Sequence, residues 1–249
     1  MIKELKREEQ KGRYKVRIAF SGAGGTGKGT LARYVTKHIN REKGFNFTLI
    51  ESRNEPITEL LCPDSENYKD MPPAIYDVKQ FAILGGQIAQ EEAAGDDFIS
   101  ERSIFDYLAY FSKDIDELMK LSKDEMSRRL LYVDTYREMV ARAAERRPYD
   151  IIFMTPADFI PDDSEENIWK ERDEAERAET ERKIARILEL VVCHESTSVV
   201  CLTGSFSEKT ERAMEEIRKV SKEKESPRKR RDKRSVINGL KSFFAEEES

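Results

Sequence analysis

The nine residues GAGGTGKGT, from Gly22 to Thr30, stand between an alternating apolar run and a helical one. Val16, Ile18 and Phe20 alternate along an extended segment that starts at Tyr14, which predicts a buried strand running straight into the glycines. Behind them Leu31, Val35 and Ile39 recur every four residues, placing one apolar stripe on a helix that ends near Gly44. A glycine-rich turn held between a strand and a helix is where backbone N–H groups converge on an anion. Glycines 22, 25 and 27 let the chain turn those groups inward, and the helix N-terminus adds its partial positive charge. Lys28 brings an ammonium to the β and γ phosphates. Gly22, Ala23, Gly24, Gly25, Thr26, Gly27, Lys28, Gly29 and Thr30 are therefore the expected cradle for a nucleotide, with Lys28 as its catalytic cation. As an exposed loop residue, Lys28 should give charge to the phosphates rather than packing to the core.

Outward from this loop the pattern alternates strand and helix. Strands are expected at Phe47 to Ile50, Phe98 to Ser100, Tyr149 to Met154 and Ser198 to Leu202, with polar loops at 62–73 and 156–163. Tyr149 to Met154 shows no alternation, as a strand buried on both faces should not. Helices are expected around Val78 to Ala89, where Gly85 and Gly86 each cost about 1 kcal/mol relative to Ala, and over Ser103 to Phe111. Met126, Leu130, Val133, Met139, Val140 and Ala143 trace a long amphipathic helix ending at Arg146 and Arg147. Asn167 to Val192 reads as a helix whose charged first half projects while Ile184, Ile187, Leu188 and Val191 pack, and Thr210 to Val220 as the last helix. Five short apolar strands separated by helices predict an α/β fold with a five-stranded parallel sheet. No internal repeat is present.

Composition narrows the function classes. The 249 residues suit one large domain, 38% apolar residues allow a sizeable core, and 37% charged residues place much of the chain on solvated helices. A net charge of −5 argues against a surface that is basic throughout. No run approaches the ~20 apolar residues of a membrane span, and the start of the chain lacks the apolar core of a secretory signal. A cytoplasmic protein with reduced thiols is expected. Cys62, Cys193 and Cys201 form no C-x-x-C pair, and with only His38 and His194 no zinc-ligand spacing exists. Cys193 beside His194 reads as a core thiol next to a surface imidazole, because neighbours on an extended chain point apart.

One departure in the loop guides comparison with known families. Gly29 stands where a Ser or Thr usually follows the lysine, and Thr30 comes one place later. This GKGT ending resembles that of adenylate-kinase-like nucleotide kinases, which implies that Thr30 meets the α-phosphate and that magnesium is held more through water. No NKxD-type guanine motif occurs. RNEP, Arg53 to Pro56, resembles the REP or EP motif of thymidylate and deoxynucleoside kinases, with Asn54 as an extra residue. ERSIFDYLAY, Glu101 to Tyr110, resembles their DR…S…AY and ERS signatures, with Asp106 where thymidylate kinases have a serine. It also resembles the P-loop family that includes ribosylnicotinamide kinase. The resemblance covers roughly residues 14 to 215 and implies a P-loop NTPase fold with a helical lid at about 156–182.

The resemblance also implies roles. Residues at the carboxyl ends of parallel strands converge on the ligand crevice, so Glu55 and Glu101 should both reach it. Glu55 would take a proton from an acceptor hydroxyl, or else is a solvated loop carboxylate. Glu101 would orient hydrated magnesium and Arg102 would hold a phosphate through its planar fork, unless the two are a plain surface ion pair. Arg53, Gln80, Arg102 and Asp106 are the expected acceptor contacts, with Gln80 and Gln87 either at a base edge or solvated. Arg172, Arg177 and Arg182 in WKERDEAERAETER would close over the moving phosphoryl group, or pair with neighbouring glutamates on the helix surface.

The domain expectation is an extension at 1–13, a kinase domain at 14–221 and a charged tail at 222–249. The run from Lys222 to Arg234 holds eight Lys or Arg against three acids, the usual make-up of a solvated tail but also a possible nucleic-acid contact. The expected activity is transfer of the ATP γ-phosphate, with Mg2+, to a nucleoside or nucleotide, a deoxynucleoside monophosphate first among them. A homodimer is allowed. The rival readings are a kinase of nucleic-acid ends or of a modified base in DNA, and an ATP-binding switch without metabolic turnover.

Overall fold

The computed structural model describes residues 15–52, 54–61, 73–112, 122–157, 174–194 and 197–225. Residues 62–72 of the loop expected at 62–73, the extension at 1–13, Arg53, Arg172, the Cys193 and His194 side chains and the tail beyond Glu225 lie outside them, and Pro73 opens a helix rather than closing that loop. Five strands, β1 (Arg17–Ser21), β2 (Thr48–Ile50), β3 (Phe98–Ser100), β4 (Ile151–Met154) and β5 (Ser198–Cys201), form one all-parallel sheet in the order β2-β3-β1-β4-β5. β1 is thus the middle strand. The chain leaves it first toward β2 and β3 and later toward β4 and β5, so the crevice at its carboxyl end is the topological switch point where open α/β sheets bind ligands.

Alternation along the strands divides the core. Ile18, Phe20, Ile99, Ile151 and Phe153 face one layer, where α1 (Lys28–Ile39) and α7 (Phe206–Glu225) lie. Ala19, Phe98 and Ile152 face the other, covered by α3 (Pro73–Ala94), α4 (Ile104–Ser112), α5 (Lys123–Arg146) and α6 (Glu174–His194). The short α2 (Asn54–Leu61) packs on α3 through Ile57. Each fully buried Phe or Ile contributes roughly 1.5–3 kcal/mol. Outside the core, Arg218 on α7 grips the Glu42 carboxylate through Nε at 3.0 Å and an Nη at 2.6 Å, clamping α7 to the end of α1.

Several elements differ from the sequence expectation. α3 runs unbroken through Gly85 and Gly86, because the neighbouring turns pack through Ile83, Leu84 and Gln87. α5 begins at a capping box, Ser122 with Glu125, yet buries Val133, Tyr136, Val140, Ala141 and Ala144 rather than Leu130, which is exposed. Its first turns touch the core through Arg129, which pairs with Asp77 of α3 and lies over the Phe111 ring. The charged half of α6 does not simply project: Arg177 is 4% exposed and Thr180 fully buried. α7 starts at Phe206 and extends into the first residues of the basic run.

A buried polar chain crosses the second layer. Gln87 of α3 donates through Nε2 to Glu91 Oε1 (2.7 Å) and Ser100 Oγ (2.8 Å), and Tyr149 OH donates to the same Glu91 oxygen at 2.6 Å. Burial pushes the Glu91 carboxyl up to about 7, opposed by those hydrogen bonds and by Arg147 and Arg17. A carboxyl whose folded-state pKa lies above its ordinary value of 4.5 binds more protons folded than unfolded, so its contribution is full below pH 4.5 and fades as pH rises toward 7. Glu91→Gln should therefore flatten stability between pH 4.5 and 7 and raise it at pH 8, on the order of a few kcal/mol. Urea melts across that range test this. An unchanged pH slope in the variant would rule the assignment out.

Candidate functional site

The phosphate loop leaves β1 at Ser21 and closes on the first turn of α1. Gly27, the residue before α1, has φ 77°, a left-handed conformation that costs a side-chain-bearing residue about 1–2 kcal/mol, and it starts the helix without a side-chain cap. The N–H groups of the first turn therefore stay directed into the loop. Gly22 is packed as tightly as the chain allows. A Cβ there would lie 2.5 Å from the Thr155 carbonyl oxygen and 3.0 Å from its hydroxyl. Thr155, just after β4, donates its N–H to the Ser21 carbonyl at 2.8 Å, and its hydroxyl meets that of Thr26 at 3.1 Å.

Lys28 is not the exposed side chain expected from the sequence. It is 5% exposed, and its ammonium folds over the loop onto the Ala23 carbonyl and the Thr26 hydroxyl at 3.2 Å. A loop carbonyl and a hydroxyl satisfy a cation that would otherwise be expensive to bury. The ammonium thus lies inside the concavity it is to serve.

At the end of β3 the chain delivers Glu101, Arg102, Ser103 and Asp106. Glu101 N donates to the Ile50 carbonyl at 2.9 Å, continuing the β2–β3 ladder, while the Glu101 carboxylate accepts the Ser52 N–H at 3.3 Å and lies against Gly29 of the loop. Arg102 is largely buried. Its Nη1 is 3.9 Å from Asp106 and its guanidinium lies over the Tyr110 ring, 5.4 Å from the centroid. Its carbonyl is fixed by Ser100 Oγ at 2.7 Å and Gln87 Nε2 at 3.4 Å.

Asp106 is fully buried and takes hydrogen bonds from Ser21 Oγ, at the stem of the phosphate loop, and from Ser103 Oγ at 2.8 Å. Its second oxygen, Oδ2, is buried without a hydrogen-bond partner among the described residues. Burial raises the Asp106 carboxyl above its ordinary range, opposed by Lys28 and Arg102.

The remaining candidates separate. Gln87, only 1% exposed, is a member of the buried chain beneath Arg102, neither solvated nor at a base edge. Gln80 is buried on the same stripe of α3, two turns nearer its start. Glu55 lies in the first turn of α2, its side chain outside what the structure describes. Arg177 is buried, unlike a surface-paired arginine, whereas Arg182 is exposed and bonds back to the Ala178 carbonyl at 3.3 Å. The sequence reading missed Ser21 and Thr155. Both are polar residues that follow an apolar stretch of strand, a signal present in IAFS and in IIFMT.

Among the described residues no group of three or more His, Cys, Asp or Glu is placed to hold a metal ion, and no helix is long and apolar enough to cross a membrane. Glu101 is the acidic oxygen donor next to the loop, and magnesium held with nucleotide phosphates needs only one or two carboxylates from the protein. The residues present fit it.

Lys28→Ala should weaken ATP binding roughly tenfold to a hundredfold, the worth of one or two charge-assisted hydrogen bonds. Gly22→Ala should lower the melting temperature as well, because the Thr155 carbonyl is backbone and cannot swing aside. Fluorescent-nucleotide titration and thermal melts read both. Wild-type affinity in a folded Lys28→Ala protein would refute the cradle.

A family model described as AAA domain matches residues 17–209. No curated protein sequence matches the chain. Among solved structures, deoxyadenosine kinase from M. mycoides with bound dCTP superimposes with a TM-score of 0.55 at 15% identity, covering 81% of this chain and 98% of that one. The NadR protein in complex with NAD and AMP-PNP superimposes with a TM-score of 0.52 at 14% identity, covering 88% of this chain and 52% of that one. At such identities the likeness speaks for the fold. Because the family match runs from β1 into the first turn of α7, the protein belongs to the AAA-domain family, and its fold is that of the P-loop kinases.

Proposed function

We propose that the protein is a phosphotransferase that moves the γ-phosphate of ATP to a nucleoside or nucleotide, with a deoxynucleoside monophosphate as its acceptor. One observation carries the reading. Arg102 and the phosphate loop are joined through one buried carboxylate, since Asp106 bonds Ser21 at the stem of the loop and lies 3.9 Å from the Arg102 guanidinium. A second cation beside the first gives the crevice two places for phosphate. Positioning two phosphates in line is most of what phosphoryl transfer asks of a protein.

In this reading the loop N–H groups and Lys28 hold the β and γ phosphates, and Arg102 holds the acceptor phosphate through its fork. Magnesium, when bound, neutralises charge on the β and γ oxygens, and Glu101 is the residue that orients it. Gln80 and Arg53 are the acceptor contacts of this reading, Asp106, fully buried, acts through Ser21 and Arg102 rather than on the acceptor, and Arg172 and Arg177 supply charge from the lid expected at about 156–182. For the adenine, exposed rings are at hand. Tyr34 sits one turn beyond Thr30 on the same face of α1, and Phe206, opening α7, meets it edge-on at 5.2 Å.

The nucleoside itself is the second reading, favoured by the likeness to a deoxyadenosine kinase. A nucleoside hydroxyl is a poor nucleophile for which a carboxylate base is worth ~100-fold to ~10,000-fold, whereas a phosphate dianion needs none. Nucleic-acid ends belong in the same acceptor panel, because the basic residues 222–234 supply a phosphate contact.

ADP release should be stimulated by one acceptor class when the protein is given ATP, magnesium and a panel of nucleosides, monophosphates and oligonucleotides. For a monophosphate, Arg102→Ala should raise the acceptor KM about tenfold or more while Glu55→Gln costs turnover only modestly. The reverse ranking would establish a nucleoside acceptor, and no stimulation by any acceptor would leave an ATP-binding switch. Both variants must bind ATP as the wild type does.

A further inference from the structure

Thr155 follows β4 directly, far from the phosphate loop in sequence, and is fully buried. Its hydroxyl lies in space that Gly22 leaves open, 3.0 Å from where a Cβ would stand. From there it donates to the Ser21 carbonyl at 3.1 Å and meets the Thr26 hydroxyl at 3.1 Å. A hydroxyl has one proton to give. With the Thr155 proton on the Ser21 carbonyl, Thr155 is the acceptor in the second contact and Thr26 the donor. The Thr26 oxygen then turns its lone pairs to the Lys28 ammonium, which donates to it at 3.2 Å. The Ala23 carbonyl, 3.2 Å from the Thr26 hydroxyl, competes for the same proton but already receives the ammonium. Lys28, Thr26, Thr155 and the Ser21 carbonyl thus form one chain of hydrogen bonds running in a single direction, in which each bond polarises the next. It begins at the cation and ends on β1.

We propose that Thr155 is a positioning residue for Lys28. Through Thr26 it ties the ammonium to the β1–β4 ladder, so that when phosphates arrive the bond to the Ala23 carbonyl is exchanged for a phosphate oxygen while the bond to Thr26 is kept. The lysine then meets phosphate already ordered, and the rotamer freedom of a long side chain is not lost at that moment. Without the Thr155 hydroxyl the Thr26 proton is left to the Ala23 carbonyl, the same oxygen that holds the ammonium, and the hold on Lys28 weakens. The inference rests on the phosphate-loop reading and is independent of the acceptor.

The test is binding rather than turnover. A fluorescent ATP analogue is titrated, in excess magnesium, into wild type, Thr155→Val and Thr155→Ser. Valine keeps the shape and removes the hydroxyl, and should weaken affinity about threefold to tenfold, whereas serine keeps the hydroxyl and should stay within about twofold of wild type. The same Thr155→Val change in a Lys28→Ala background should cost less than about twofold, because the hydroxyl acts through the lysine. A residue that only braces the loop would cost the same in both backgrounds, and equal losses would therefore overturn the proposal. Wild-type affinity in a folded Thr155→Val protein, or a serine variant as weak as the valine one, would overturn it too, while leaving the loop as a nucleotide site. Thermal melts establish folding. Should Thr155→Val not fold, Thr26→Val breaks the same chain one bond nearer the lysine, and wild-type affinity in that variant would overturn the proposal instead. Absence of nucleotide binding by wild type would overturn the phosphate-loop reading with it.

Discussion

The 2.8 Å hydrogen bond from the Thr155 N–H to the Ser21 carbonyl is the joint from which the site is built. It extends the β1–β4 ladder one residue past the strands, so that the chain turns into the phosphate loop while still held on that side. The Thr155 carbonyl then presses on Gly22 so closely that no side chain fits, and its hydroxyl reaches Thr26. The middle strand of a parallel sheet is paired on both edges and buried on both faces, which is why the loop it carries has a firm base.

The other edge of β1 places Glu101 and Arg102 beside the loop. β3 pairs with β1 from Phe98 to Ser100, Glu101 continues the ladder to β2 for one more bond, and the chain beyond it is held by polar contacts. Ser100 and Gln87 fix the Arg102 carbonyl, Tyr107 OH reaches Gln87 Oε1 at 3.4 Å, and Tyr149 OH ties Glu91 to the Ile104 N–H. Such networks are costly unless every member is satisfied, and this one is satisfied at the price of a carboxyl near 7. A surface arginine would sample many rotamers. Arg102, held at its carbonyl by this network and flanked by Tyr110 and Asp106, does not.

Residues whose neighbours lie close in sequence were legible, and residues placed by distant elements were not. GAGGTGKGT between an alternating run and a four-residue repeat admits one local structure, and the five strands showed as short apolar runs. Strand order was not readable, because no local pattern says that β1 lies between β3 and β4. Gln87 looked like a solvated or ligand-facing amide since its partners Ser100 and Arg102 come from another element, although Gln80, Leu84, Gln87 and Glu91 recur on one helical stripe with Ile83 beside them. Arg177 was masked by its charged neighbours in the same way. Leu130 erred in the opposite direction: its spacing fits the apolar stripe of α5, but at that turn the neighbouring Arg129 makes the contact with α3 and Phe111 while Leu130 stays exposed.

Asp106 shows how the two halves of the site are bound electrostatically. Burying a lone carboxylate costs several kcal/mol, and a serine at this position would have bonded to Ser21 without that cost. Burial raises the Asp106 carboxyl, and Lys28 and Arg102 both act against that rise. Lys28 and Arg102 are thus not independent of one another. Both act on one buried carboxyl, and the two serine hydroxyls from β1 and from the turn after β3 fix where it lies.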